Sequence, residues 1–148
     1  MAKILFVCHG NICRSTMAQS VFADMAQKCG RCGEFDVQSA ATSTEEIGSE
    51  PHYGTREKLA QEGVPLVPHR AVRMTREDGK KYDLLIGMDA QNIRNMLKIV
   101  DDDDAKKICR LLDFTSTPRD IADPWYTGDF TATYNDIRLG CAAILEKI

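Results

Sequence analysis

Two rhythms of apolar and polar residues alternate along this chain. Lys3-Ile4-Leu5-Phe6-Val7 is short, apolar and β-prone, and predicts a buried strand. From Ser15 to about Lys28 the rhythm becomes helical. Met17, Ala18, Val21, Phe22, Met25 and Ala26 share one face, and Gln19, Ser20, Asp24 and Gln27 fall largely on the other. Phe35 to Ala40 alternates and predicts a second strand, followed by a polar loop from Ala41 to Pro51. A helix is expected from about Tyr53 to Gln61, with Leu59 and Ala60 inward and Gly63 ending it. Pro65 and Pro68 break the next stretch, and a short helical turn starts at Thr75. Tyr82 to Met88 predicts a third strand centred on Leu84-Leu85-Ile86. Asp89 caps the helix after it, where Ile93, Met96, Leu97 and Val100 recur at helical spacing. The four carboxylates of Asp101 to Asp104 oppose a helix C-terminus, so a solvated loop is expected there. They lack the spacing and central glycine of a calcium loop. Lys107 to Leu112 predicts the fourth strand. A long loop with Pro118 and Pro124 then leads to a last helix, Phe130 to Lys147, with Ile137, Cys141, Ile144, Leu145 and Ile148 in one stripe.

Strands that alternate with helices, and are apolar enough to be covered twice, predict an α/β fold with a parallel sheet between helical layers. In such sheets ligands bind at the carboxyl ends of the strands, where the strand order reverses. At 148 residues the expectation is a single domain, 1–148.

The remaining composition mainly excludes. A net charge of −3 gives no footprint for nucleic acid. No apolar run approaches the roughly 20 residues that span a bilayer, so no membrane partner is expected. The N-terminus has no basic stretch ahead of an apolar segment, and the expected location is the cytoplasm. There the six cysteines need no disulfide framework. Cys29-Gly-Arg-Cys32 has no second such pair and no histidines at finger spacing, so a turn with free thiols is expected rather than a metal site.

The chemistry concentrates in Cys8-His9-Gly10-Asn11-Ile12-Cys13-Arg14-Ser15, between the first strand and the first helix. A loop wrapping into a helix N-terminus points backbone N–H groups into one concavity, with the helix dipole behind them. A cysteine facing that concavity is favoured as the nucleophilic thiolate. Gly10 and Asn11 are the residues best suited to positive φ in such a loop. Arg14 offers a planar fork that fits two phosphate oxygens. Ser15 either donates to the thiolate or caps the helix.

This loop, Val7 to Ser15, together with Asp123-Pro124, resembles the low-molecular-weight protein tyrosine phosphatases along the whole chain. The resemblance implies a three-layer, flavodoxin-like fold with a four-stranded parallel sheet in the order 2-1-3-4. It implies hydrolysis of phosphotyrosine and small aryl phosphates through a phosphocysteine, with tyrosine-phosphorylated proteins as substrates and phosphate or other oxyanions held in the loop. Cys8 is then the nucleophile, Arg14 the phosphate ligand and Asp123 the acid that protonates the leaving oxygen and later activates water. No metal or other cofactor is required, because amides and Arg14 supply the positive charge. Those two roles of Asp123 imply a bell-shaped pH profile on the acid side of neutrality.

The resemblance also implies that Asn11, Ser39 and His69 form a network that pins the loop. Cys13 matches a second loop cysteine that, in some members, forms a disulfide with the nucleophile. Trp125 and Tyr126 are expected to wall the substrate slot, with His9 and Glu45 at its mouth. Three positions depart from the pattern. Thr16 stands where many members have proline, and His9 follows the nucleophile where a smaller or aliphatic residue is usual. Thr44-Glu45-Glu46 stands where an aromatic gate is common. His9 either narrows the pocket or turns outward. Two related activities remain as alternatives, an arsenate reductase and a protein-arginine phosphatase. The first needs relay cysteines, and Leu84 to Val100 has none. The second places threonine after the nucleophile, where this chain has His9.

Overall fold

The computed structural model describes all residues, 1–148. Four strands, β1 (Ala2–Cys8), β2 (Phe35–Ala41), β3 (Leu84–Gly87) and β4 (Ile108–Arg110), form one parallel sheet in the order β2-β1-β3-β4. Six helices connect and cover them: α1 (Arg14–Lys28), α2 (Tyr53–Gln61), α3 (Arg76–Lys81), α4 (Ala90–Leu97), α5 (Pro124–Thr127) and α6 (Phe130–Lys147).

The twofold rhythm of β1 explains the layers. Ile4, Phe6 and Cys8 point into a core shared with α1, α6 and Leu59 of α2, while Leu5 and Val7 point into a second core with Met74, Tyr82 and Met96. Both faces of β1 are therefore buried, as its unbroken apolar run requires. The chain leaves β1 for β2 on one side and returns to β3 on the other. The strand order thus reverses at β1, and the Cys8 loop emerges from that point.

Several sequence expectations are corrected. Gln19 and Ser20 of α1 are buried by different neighbours: Ser20 Oγ accepts from the Val67 N–H at 2.9 Å, and Gln19 is bonded to Ser39 and the Val37 carbonyl of β2. On α2 the inward residues are Thr55, Lys58 and Leu59, whereas Ala60 is exposed. Lys58 lies inward because its aliphatic stem packs while its ammonium reaches Glu62 at 3.0 Å. Leu97 and Ile148 are exposed, since their helices end there. Strands β3 and β4 are shorter than expected, and Leu111–Phe114 is a 3₁₀ turn.

The acidic run is solvated only in part: Asp102 and Asp103 are exposed, but residues 102–107 form a 3₁₀ helix and the other two carboxylates are paired. Asp101 pairs with Arg76 at 2.6 Å and Lys80 at 2.7 Å, and Asp104 pairs with Lys107 at 3.2 Å and Lys80 at 3.3 Å. Burial pushes the Asp104 carboxyl up, but Lys107 and Lys80 outweigh it and hold the group below its usual range.

Helix α6 approaches the sheet end through Gly140. A Cβ there would lie 2.4 Å from Cγ of Leu111, a fully buried side chain. Gly140→Ala gains helix propensity but overpacks this contact, so a net loss of about 1–2 kcal/mol is expected. The urea midpoint of unfolding measures it.

Candidate active site

Strand β1 ends at Cys8, and the chain turns through one left-handed residue before α1 begins at Arg14. That residue is Asn11, with φ 60°, whereas Gly10 keeps negative φ. Asparagine tolerates this conformation better than most residues. It also fixes the loop through its side chain. Asn11 Oδ1 accepts from the Val72 N–H at 3.2 Å and lies 2.6 Å from His69 Nε2. The Val72 N–H defines which amide atom is oxygen, so His69 Nε2 carries the donating hydrogen. Asn11 Nδ2 then donates to Ser15 Oγ at 2.7 Å, which leaves the Ser15 hydroxyl hydrogen for Cys8 Sγ at 3.0 Å. The Asn11 N–H also points at that sulfur, at 3.3 Å. Two donors thus converge on Cys8, one of them aligned by a chain running back to His69. Burial lowers the His69 pKa, which keeps the ring neutral.

Ser39, expected in this network, lies outside it. Its hydroxyl donates to Gln19 Oε1 at 2.6 Å and ties β2 to α1. Removing the aligned donor by Ser15→Ala is expected to lower kcat about 10- to 100-fold while the fold persists, as steady-state kinetics and circular dichroism will report.

Arg14 is 2% exposed. Its Nη1 is anchored by Asp89 Oδ2 at 2.7 Å and the Ile121 carbonyl at 2.8 Å. Nη2 has only a long contact with Asp123 Oδ2, 3.4 Å, and Nε is buried without a partner. One edge of the guanidinium is therefore fixed to the scaffold, while the Nε–Nη2 edge keeps donors for an oxyanion beside Cys8. Burial disfavours the Arg14 charge, but Cys8, Asp89 and Asp123 outweigh it and push its pKa up. The sequence marks Asp89 only as a helix cap. It does cap α4, accepting from the Asn92 N–H at 2.7 Å, and it also holds Arg14. Its place at the carboxyl end of β3, beside β1, was the signal for this second role.

Asp123 stands at the N-cap of α5, a short helix that replaces part of the expected loop. Its Oδ1 accepts from the Trp125 N–H at 3.0 Å. Cys8, His9, Gly10, Ile12, Cys13, Glu45, Asp123, Trp125 and Tyr126 all line one slot of about 90 Å³, which Glu46 joins. His9 Nε2 meets Glu45 Oε2 at 2.9 Å, so the pair spans the rim from the Cys8 loop to the loop after β2. Cys13 is a free thiol whose pKa burial, then the neighbouring Cys8 and Asp123, push up to about 12. It stays protonated at neutral pH. The slot thus contains a sulfur with converging donors, a fixed guanidinium behind it and a carboxyl at its wall, which together suit in-line attack on a bound phosphate ester.

Comparison with known proteins agrees with this geometry. Residues 3–148 match the family model described as low molecular weight phosphotyrosine protein phosphatase. The low molecular weight protein-tyrosine-phosphatase YfkJ of Bacillus subtilis is 39% identical, over 100% of this chain and 96% of its own. Its crystal structure superposes with a TM-score of 0.96, covering 100% of this chain and 94% of that one. The human low molecular weight phosphotyrosine protein phosphatase is 34% identical, over 98% of this chain and 94% of its own. A Drosophila arginine phosphatase has the same fold, with a TM-score of 0.88 at 25% identity over 97% of this chain and 96% of that one. With the match running the length of the sheet, the Cys8 loop and Asp123, the chain belongs to the low molecular weight phosphotyrosine protein phosphatases.

Proposed function

We propose that this chain hydrolyses phosphotyrosine in proteins, with Cys8 as nucleophile, Arg14 as phosphate ligand and Asp123 as general acid and base. The observation that carries this reading is the convergence of Ser15 Oγ and the Asn11 N–H on Cys8 Sγ, with the Arg14 guanidinium buried close by. The sulfur attacks phosphorus in line, an S–P bond forms, and the bond to the phenolic oxygen breaks. Loop amides and the Nε–Nη2 edge of Arg14 hold the equatorial oxygens as charge spreads over them. The arriving phosphate takes Nη2 from Asp123; the carboxylate so released takes up a proton from solvent and passes it to the oxygen of the leaving phenolate. In the second step Asp123 takes a proton from water, which attacks phosphorus and returns the Cys8 thiolate with inorganic phosphate.

Trp125 and Tyr126 support an aromatic substrate. They stand 57% and 82% exposed beside the slot, where a phosphotyrosine ring would cover them. The six free thiols fit a reducing compartment, so we place the protein in the cytoplasm, and the single sheet with its covering helices supports one domain over 1–148. No helix is long and apolar enough to cross a membrane.

A second reading follows from the structural likeness to the Drosophila arginine phosphatase. Matched peptides carrying phosphotyrosine, phosphoserine or phosphoarginine separate the two when assayed for phosphate release with a chelator present. The proposal expects the phosphotyrosyl peptide to have the highest kcat/KM, with no loss to the chelator. A phosphoarginyl peptide turned over faster would replace the tyrosine reading.

A further inference from the structure

Beside the catalytic slot lies a second concavity that the chemistry above does not use. It is a groove of about 570 Å³ between α2 and the segment joining α5 to α6, with Tyr53, Glu57, Trp125, Asp129 and Phe130 among its walls. We propose that this groove is a subsite for an arginine side chain of the substrate polypeptide, a few residues from the phosphorylated tyrosine. The proposal rests on the phosphotyrosine reading of the Cys8 slot.

Continuity is the first argument. Trp125 belongs to both concavities, so the groove begins where the slot wall ends. A polypeptide with its phosphotyrosine ring in the slot that leaves over the Trp125 wall, rather than over the rim spanned by His9 and Glu45, runs into this groove.

The second argument is the way the aromatic walls are held. Tyr53 and Trp125 remain 66% and 57% exposed, yet both rings rest on His52. The His52 ring stacks on Tyr53 at 4.9 Å and on Phe130 at 5.4 Å, and meets Trp125 edge to face at 5.7 Å. The imidazole is itself fixed, because its Nδ1 accepts the Gly54 N–H at 3.0 Å. Gly54 lets the ring of Phe130 approach closely, since a Cβ there would lie 2.5 Å from two of its atoms. These faces are therefore pre-positioned, and a ligand need not order them.

Charge decides which ligand fits. Glu57 and Asp129 make no ion pair. Glu57 receives only a 3.5 Å contact from Gln61, and Asp129 accepts backbone N–H at the α6 N-cap, 2.9 Å from Ala132 N. The cation in the lining, Lys58, is already engaged: it pairs with Glu62 at 3.0 Å and lies 5.6 Å above the Tyr134 ring. The groove therefore offers solvent-facing aromatic surfaces and two carboxylates without a counter-charge. A guanidinium matches both, because it stacks on aromatic faces and forks to carboxylates. A glutamate in the same place meets Glu57 and Asp129, with Glu45 and Glu46 at the neighbouring slot adding to the repulsion.

The test is kcat/KM on phosphotyrosyl peptides in which each flanking position carries arginine, alanine or glutamate in turn. At one or more positions arginine is expected to exceed alanine by about fivefold, with glutamate below alanine. Glu57→Gln should reduce the difference, and Glu57→Lys should reverse the order of arginine and glutamate. Both variants should hydrolyse p-nitrophenyl phosphate as the parent protein does, which controls for folding. Equal kcat/KM across the peptides overturns the subsite and leaves the phosphatase reading intact, as does an arginine preference that survives Glu57→Lys. Hydrolysis of p-nitrophenyl phosphate with no turnover of any peptide overturns the phosphotyrosine reading, and the subsite with it.

Discussion

Replacing Cys8 with serine is expected to lower turnover of p-nitrophenyl phosphate on the order of 10⁵-fold, as removal of a catalytic nucleophile does elsewhere. The reason lies in what surrounds the sulfur. Its recorded partners are the Ser15 hydroxyl and the Asn11 N–H, both placed as donors. They favour an anion but cannot remove a proton. A thiol needs only that help, because it ionises near neutrality, whereas an alcohol needs an adjacent base. No base is hydrogen-bonded at this position: the histidine next in sequence, His9, turns to Glu45, His69 bonds Asn11, and Asp123 holds the Trp125 N–H and Arg14. The serine variant should still bind phosphate, because Arg14 and the loop amides are unchanged. Calorimetric titration with inorganic phosphate checks that binding, and the kinetic assay checks the loss. Retention of more than a tenth of the activity would remove Cys8 from the chemistry.

Asp123→Ala is expected to cost about 10²- to 10⁴-fold on phenyl phosphate, the usual range for a general acid, and distinctly less on p-nitrophenyl phosphate. The difference between substrates is the informative part. A phenolate leaves poorly and needs a proton, whereas a nitrophenolate already carries its charge well. Asp123 also contacts Arg14 Nη2 at 3.4 Å and caps α5 through the Trp125 N–H. A structural loss at either place would slow both substrates alike. A leaving-group dependence that steepens in Asp123→Ala identifies proton transfer. Equal slowing assigns Asp123 to positioning alone.

The parts of the fold carried by a local pattern were legible in the sequence. The apolar run of β1, the Asp89 cap, the helical turn starting at Thr75 and the α6 stripe up to Leu145 each follow from residues a few positions apart. Features created by distant partners were not. Gln19 and Ser20 read as a solvent face because a helical period records one buried side, and their partners, β2 for Gln19 and Val67 for Ser20, come from elsewhere in the chain. Asp104 read as solvated because its partners Lys80 and Lys107 meet it only in the fold. Helix α5 is only four residues long, too short for a period to show, so Asp123 read as a loop residue rather than an N-cap.

The site divides along the same line. Cys8, Arg14 and Ser15 could be read from a loop between a strand and a helix. Asp123, Trp125 and Tyr126 entered only through the family resemblance, because nothing local distinguishes this Asp-Pro from an ordinary turn. The structure brings all of them together around one slot or directly behind it. Ser39 was misplaced because a buried serine on β2 finds Gln19 on the neighbouring helix before it can reach Asn11. Asp89 was underestimated because one carboxylate serves two partners, its own helix and Arg14.

The central claim is covalent transfer of the phosphoryl group to one sulfur, and a single-turnover trap addresses it most directly. Asp123→Ala protein is mixed with a ³²P-labelled phosphotyrosyl peptide, quenched in acid within the first turnover, digested and mapped. The account predicts one labelled peptide, containing Cys8, with label that appears as the phenol is released and decays as inorganic phosphate forms. Phenol and phosphate released together with no labelled protein, or label on any other residue, would contradict it.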